Sequence, residues 1–83
     1  MEHYIILARS VTYAQRMRQS LERAGIRCRI ARAPRDLSET GCAYTLQVAA
    51  RDLTGALIAI HRDGLGPVQI FLHQNGGYRE VGL

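Results

Sequence analysis

The sequence contains no lysine, and all 11 of its basic residues are arginine. A chain built for nucleic acid usually gathers its positive charge into a stripe. Here the arginines are scattered and the formal net charge is only +4. That argues against nucleic acid as a partner and leaves an anionic ligand open. No apolar run approaches the roughly 18 residues of a membrane span, so no membrane partner is expected. The start Met1-Glu2-His3-Tyr4 leads straight into Ile5-Ile6-Leu7 without a basic segment, which does not read as a signal peptide. Two cysteines make no disulfide framework, so the expected location is the reducing cytoplasm. Cys28 and Cys42 are separated by thirteen residues without a CxxC or a neighbouring histidine, so neither a metal centre nor a redox pair is expected. Ser-His-Asp spacing, a phosphate-binding loop and paired carboxylates are all missing. No cofactor is therefore expected, and a non-enzymatic role is favoured over an enzymatic one.

What is present is 83 residues without an internal linker, which reads as one domain over residues 1–83. A chain of this size buries only about 60–65% of its unfolded surface. Tyr4-Ile5-Ile6-Leu7-Ala8 is a short apolar run, read as a buried strand. Ser10 is a good N-cap, and Thr12 with Gln15 offers a capping box one step later. Val11, Ala14, Met17, Leu21 and Ala24 then recur at helical spacing, with Arg16, Gln19 and Arg23 on the outer face. Gly25 ends that helix as a C′ residue. Ile26, Cys28 and Ile30 alternate with Arg27 and Arg29 as a half-buried second strand, which stops before Pro34. After a loop, Tyr44, Leu46 and Val48 mark a third strand. A second helix runs from about Arg51 to Asp63 with Leu53, Ala56, Leu57 and Ile60 inward. Gly64 and Gly66-Pro67 end it. Val68, Ile70 and Leu72 form a fourth strand. Asn75-Gly76-Gly77 is a turn, and Tyr78 to Val81 return as a short fifth strand.

The order β-α-β-β-α-β predicts an α+β, ferredoxin-like split βαβ: an antiparallel sheet with both helices on one face. In that topology the end of strand one, the start of helix one, the strand two–three loop and the end of helix two meet at one edge. Arg9, Ser10, the loop Pro34–Cys42 and His61-Arg62 thus become neighbours. Cys42 is the chemically suggestive residue, because a thiol near a helix N-terminus and guanidinium groups loses its proton more readily. Arg35, Arg9 and Ser10 are the groups expected to stabilise that thiolate or an anion beside it. Cys28, alternating with Ile26 and Ile30, is expected to be an inert core-facing residue. The three histidines fall on different elements and read as surface residues.

At these residues the chain resembles a known family. The segment Arg9-Ser10-Val11-Thr12-Tyr13-Ala14, the turn Ala24-Gly25-Ile26 and the stretch Ala33-Pro34-Arg35-Asp36-Leu37-Ser38 with Gly41-Cys42 beyond it carry the likeness. They resemble the selenium/sulfur carrier-like family of small bacterial proteins, over roughly residues 3–73. The resemblance implies that Cys42 is the chalcogen-bearing thiol, held as a persulfide or perselenide. It also implies a cytoplasmic role beside sulfur or selenium metabolism, with donor and acceptor proteins as partners.

Two other readings follow from the same order of elements. The fold suits an RNA-binding module, but that motif needs aromatic residues on the outward face of the third strand. Tyr44 shares its face with Leu46 and Val48, and Cys42 stands where an aromatic is wanted. The other reading is a dimerising module. Tyr4, Ile5, Ile6 and Leu7 cannot all face the helices, so strand one offers apolar side chains to both faces, and Phe71 falls on the outward phase of strand four, which suits pairing with a second copy of the chain or cover by the C-terminal segment.

Overall fold

The computed structural model describes residues 3–34, 37 and 44–81. The chain runs β1 (His3–Ala8), α1 (Val11–Arg23), β2 (Arg29–Arg32), β3 (Tyr44–Ala49), a 3-10 turn (Ala50–Asp52), α2 (Leu53–Arg62), β4 (Gln69–Gln74) and β5 (Gly77–Glu80). The strands form one sheet in the order β2-β3-β1-β4-β5, and every pairing is antiparallel. This is the ferredoxin-like split βαβ arrangement, widened by one strand at the β4 edge.

The register explains where the core sits. Ile6 stands opposite Leu46 on one side and Ile70 on the other. Alternate strand residues share a face, so these three, with Ala8 and Val48, point the same way. They form a single buried cluster with Ala14, Met17 and Leu21 of α1 and Leu53, Ala56, Ala59 and Ile60 of α2. Both helices therefore cover one face of the sheet. Between them Ser20, fully buried, donates its hydroxyl to the Ala59 carbonyl at 3.1 Å. Arg23 reaches across to the Asp63 carboxylate at 3.0 Å.

Both helices end in the same device. Gly25 and Gly64 hold φ of +77° and +73°. The following amides, of Ile26 and Leu65, donate back to the Leu21 and Ile60 carbonyls. This is the Schellman closure, which satisfies carbonyls left orphaned at a helix end. It also shifts the second strand. Residues 26–28 were expected to lie in a strand, but the Ile26 amide is spent on Leu21, and β2 pairs only from Arg29, opposite Gln47. The facing pattern survives nonetheless: Ile26 is buried, and Cys28 and Ile30 pack against the core. Val11, placed inward by its spacing, is 42% exposed, and the covered stripe of α1 begins one turn later at Ala14. Asn75 and Gly76, both at positive φ, close the two-residue β4–β5 hairpin.

Candidate functional site

The end of β1 delivers Arg9 and Ser10 to the start of α1. Ser10 is the N-cap: its backbone is extended, and its Oγ accepts the Tyr13 amide hydrogen at 3.2 Å. A cap of this kind satisfies one of the four amides a helix start leaves without partners. Arg9 is exposed, but it is not free. Its guanidinium lies over the Tyr13 ring, 4.0 Å from the centroid, and donates to the Tyr13 hydroxyl. Such stacking holds a cation in place without neutralising it.

The facing wall comes from the turn between α2 and β4. Leu7, Arg9, Tyr13 and Met17 enclose a hollow of about 350 Å³ against the segment 64–69. Gly66 lies close against His61: an added Cβ would stand 3.0 Å from the exposed ring, which would have to shift to admit it. It is the segment after α2 that lines this hollow; the end of α2 itself is tied to the last turn of α1, where Asp63 meets Arg23, and not to Arg9 and Ser10 as the topology led one to expect. Arg62 is turned to Asp63, 3.7 Å away. The Asp63 carboxyl is held below its ordinary value, by the Ser20 side chain when its hydroxyl turns from Ala59 to the carboxylate and by Arg23 and Arg62, with burial opposing.

Arg35 and Cys42 lie outside the described residues. The strands that flank their loop are described. β2 ends at Arg32, β3 begins at Tyr44, and these two residues are paired. Tyr44 also pairs with Ala8, the residue before Arg9. The Leu37 amide donates to the Pro34 carbonyl at 2.9 Å, closing a turn early in the loop. Tyr44 packs against the core cluster, so its ring is on the helix side of the sheet. Cys28 is a free, half-buried thiol beside the core, and burial pushes its pKa up; Arg18 lowers it and Glu22 raises it by smaller amounts. A raised thiol pKa means little thiolate at neutral pH, which suits an inert residue. Two features of this edge were not read from sequence. Tyr13 is one, although its place four residues after Arg9 is the spacing of helix-face neighbours. The other is the wall formed by Gly64 to Gln69, whose glycines read only as a helix end.

The fold class is thus a ferredoxin-like α+β sheet with an arginine held at its β1–α1 edge. A family model described as "Putative Se/S carrier protein-like" matches residues 3–72. The chain belongs to this family. No curated protein and no solved structure matches it. Among the described residues, no helix is long and apolar enough to cross a membrane.

Proposed function

We propose that the protein carries sulfur or selenium on Cys42 and passes it between partner proteins in the cytoplasm. The family match supports the carrier role. The observation that carries the choice of edge is the pairing of Tyr44 with Ala8. It brings the strand that begins two residues after Cys42 alongside the strand that ends one residue before Arg9. At that junction stand a guanidinium held by Tyr13 and the capped start of α1. Both favour a thiolate over a thiol.

The transfer is a thiol exchange on a persulfide. The Cys42 thiolate attacks the outer sulfur of a donor persulfide, forming a new S–S bond. The donor's own S–S bond breaks and the donor leaves as a thiolate. The negative charge leaves with that thiolate; the new Cys42 persulfide then gives its own proton to solvent, and Arg9 and Arg35 stabilise the anionic outer sulfur that results. An acceptor nucleophile then takes that sulfur and releases the Cys42 thiolate. Electrons balance at each step without a cofactor. A perselenide follows the same course.

The test is the pH dependence of Cys42 alkylation in a Cys28→Ser background. The expected midpoint lies below the ordinary thiol value of about 8.5, and Arg9→Ala moves it upward. A midpoint at or above about 8.5, unmoved by Arg9→Ala, contradicts the reading.

A further inference from the structure

The sheet face that carries no helix has two features the carrier role does not use. At its β2–β3 corner, Arg27, Arg29 and Arg51 surround a hollow of about 360 Å³, floored by His3, Gln47 and Ala49. All three arginines are exposed, and Asp52 is the one acidic residue in that lining. At the opposite edge, His73 and Tyr78 face each other across β4 and β5 with rings stacked 4.5 Å apart and 13° from parallel. Phe71 lies on the same face and is half-buried. The Glu80 carboxylate beside it accepts from Gln69 Nε2 at 3.3 Å.

We propose that this face binds a single-stranded polynucleotide, with backbone phosphate in the three-arginine hollow and bases on the aromatic edge. Guanidinium groups match phosphate in shape and charge. Tyr78 lies on the edge strand β5, so a further planar ring can extend this stack outward, and base–aromatic stacking is tolerant of sequence. From β2 to β5 the face spans four strand spacings, about 19 Å, enough for a short strand. The arginines are scattered along the sequence, but the fold gathers Arg27, Arg29 and Arg51 at one corner of this face, and that local charge decides between this occupant and a second copy of the chain. A second copy brings another +4 against the face, whereas a polynucleotide brings the opposite sign. The apolar surface a dimer would cover is already reduced within the single chain, where Ile5, at the centre of the face, is 6% exposed and Leu7 and Phe71 are half-buried. The residues involved differ from those of the RNA-binding pattern sought in β3, which Tyr44 fails by facing the core. The proposal does not depend on Cys42.

The experiment is fluorescence anisotropy with the intact chain and labelled single-stranded RNA and DNA of roughly ten nucleotides, with the matching duplex alongside. Single strands are expected to bind more tightly than duplex, and the RNA and DNA arms show which sugar is preferred. Tyr78→Leu, which keeps an apolar residue in β5 but removes the ring, is expected to weaken binding about tenfold. Tyr78→Phe retains it. Arg29→Ala and Arg51→Ala each lower affinity and reduce the salt slope by about one. Arg16→Ala on the outer face of α1 and Cys42→Ser leave binding unchanged. Three results would each overturn the proposal. One is no binding at low salt. A second is equal loss from Arg16→Ala and Arg29→Ala with Tyr78→Leu unaffected. The third is a stable dimer in sedimentation that excludes the strand.

Discussion

Ser10 has two roles in this account, and one pair of substitutions separates them. Its Oγ accepts the Tyr13 amide and caps α1. It also stands next to Arg9 at the edge proposed for the Cys42 chemistry. Ser10→Ala removes the cap and leaves that amide to water. The cost is about 1 kcal/mol, which for a domain of this size lowers Tm by about 4–8 °C. Ser10→Asp keeps an acceptor in the same place. The first turn of α1 has no acidic residue, so the added charge meets an unused helix dipole and contributes a further ~0.3–1 kcal/mol. Stability is therefore expected to fall in Ser10→Ala and to hold or rise in Ser10→Asp. Reactivity is expected to move differently. A carboxylate beside the Cys42 thiolate disfavours it, so Ser10→Asp slows alkylation of Cys42 at neutral pH although the fold is no weaker. Thermal unfolding and an alkylation time course on the same samples read both effects. An unchanged Tm in Ser10→Ala refutes the capping argument. Alkylation in Ser10→Asp as fast as in the wild type refutes the electrostatic one.

Other expectations follow from the packing and the charges. Ile6 is fully buried between Leu46 and Ile70. Ile6→Ala is expected to cost about 2–5 kcal/mol. The whole domain has on the order of 4–12 kcal/mol of stability, so urea unfolding should show a large loss or an unfolded chain. Gly64→Ala places a side chain at φ +73° with open space around it. Its cost is thus backbone strain of about 1–2 kcal/mol, read as a lower Tm. The Asp63 carboxyl is held below its ordinary value of 3.8. Its contribution is therefore present above that pH and lost as pH falls through the lower, folded value. Asp63→Asn should unfold earlier than wild type in urea at neutral pH, and the two should converge in acid.

Much of the fold was legible because two periodicities were clean. The spacing of Ala14, Met17 and Leu21 marks a covered helix face, and the alternation at Leu46/Val48 and Ile70/Leu72 marks a covered sheet face. The Asn75-Gly76 hairpin was readable because that pair supplies the positive φ its turn needs. The start of β2 was less so. Alternation at Ile26 and Cys28 does reflect burial, but alternation cannot show that the Ile26 amide is already bonded to Leu21. The second helix was expected from Arg51, yet its first turn is 3-10 over Ala50–Asp52. At the candidate edge, topology placed Arg9 and Ser10 at the start of α1, but the wall facing them is the segment after α2 and not the end of the helix, which Arg23 and Asp63 tie to the last turn of α1. It could not show that Arg9 is held by Tyr13, because that depends on one rotamer choice rather than on the order of elements. On the open face, the arginines of residues 27–29 looked like scattered surface charge. Only the fold sets Arg51, distant in sequence, beside them.

The most direct measurement of the central claim is the intact mass of the protein after incubation with a cysteine desulfurase and cysteine, taken on Cys28→Ser and Cys42→Ser. The account predicts one added sulfur atom on Cys28→Ser, removed by an acceptor thiol, and none on Cys42→Ser. Sulfur gained equally by both variants, or by neither while a known carrier is loaded in parallel, would contradict it.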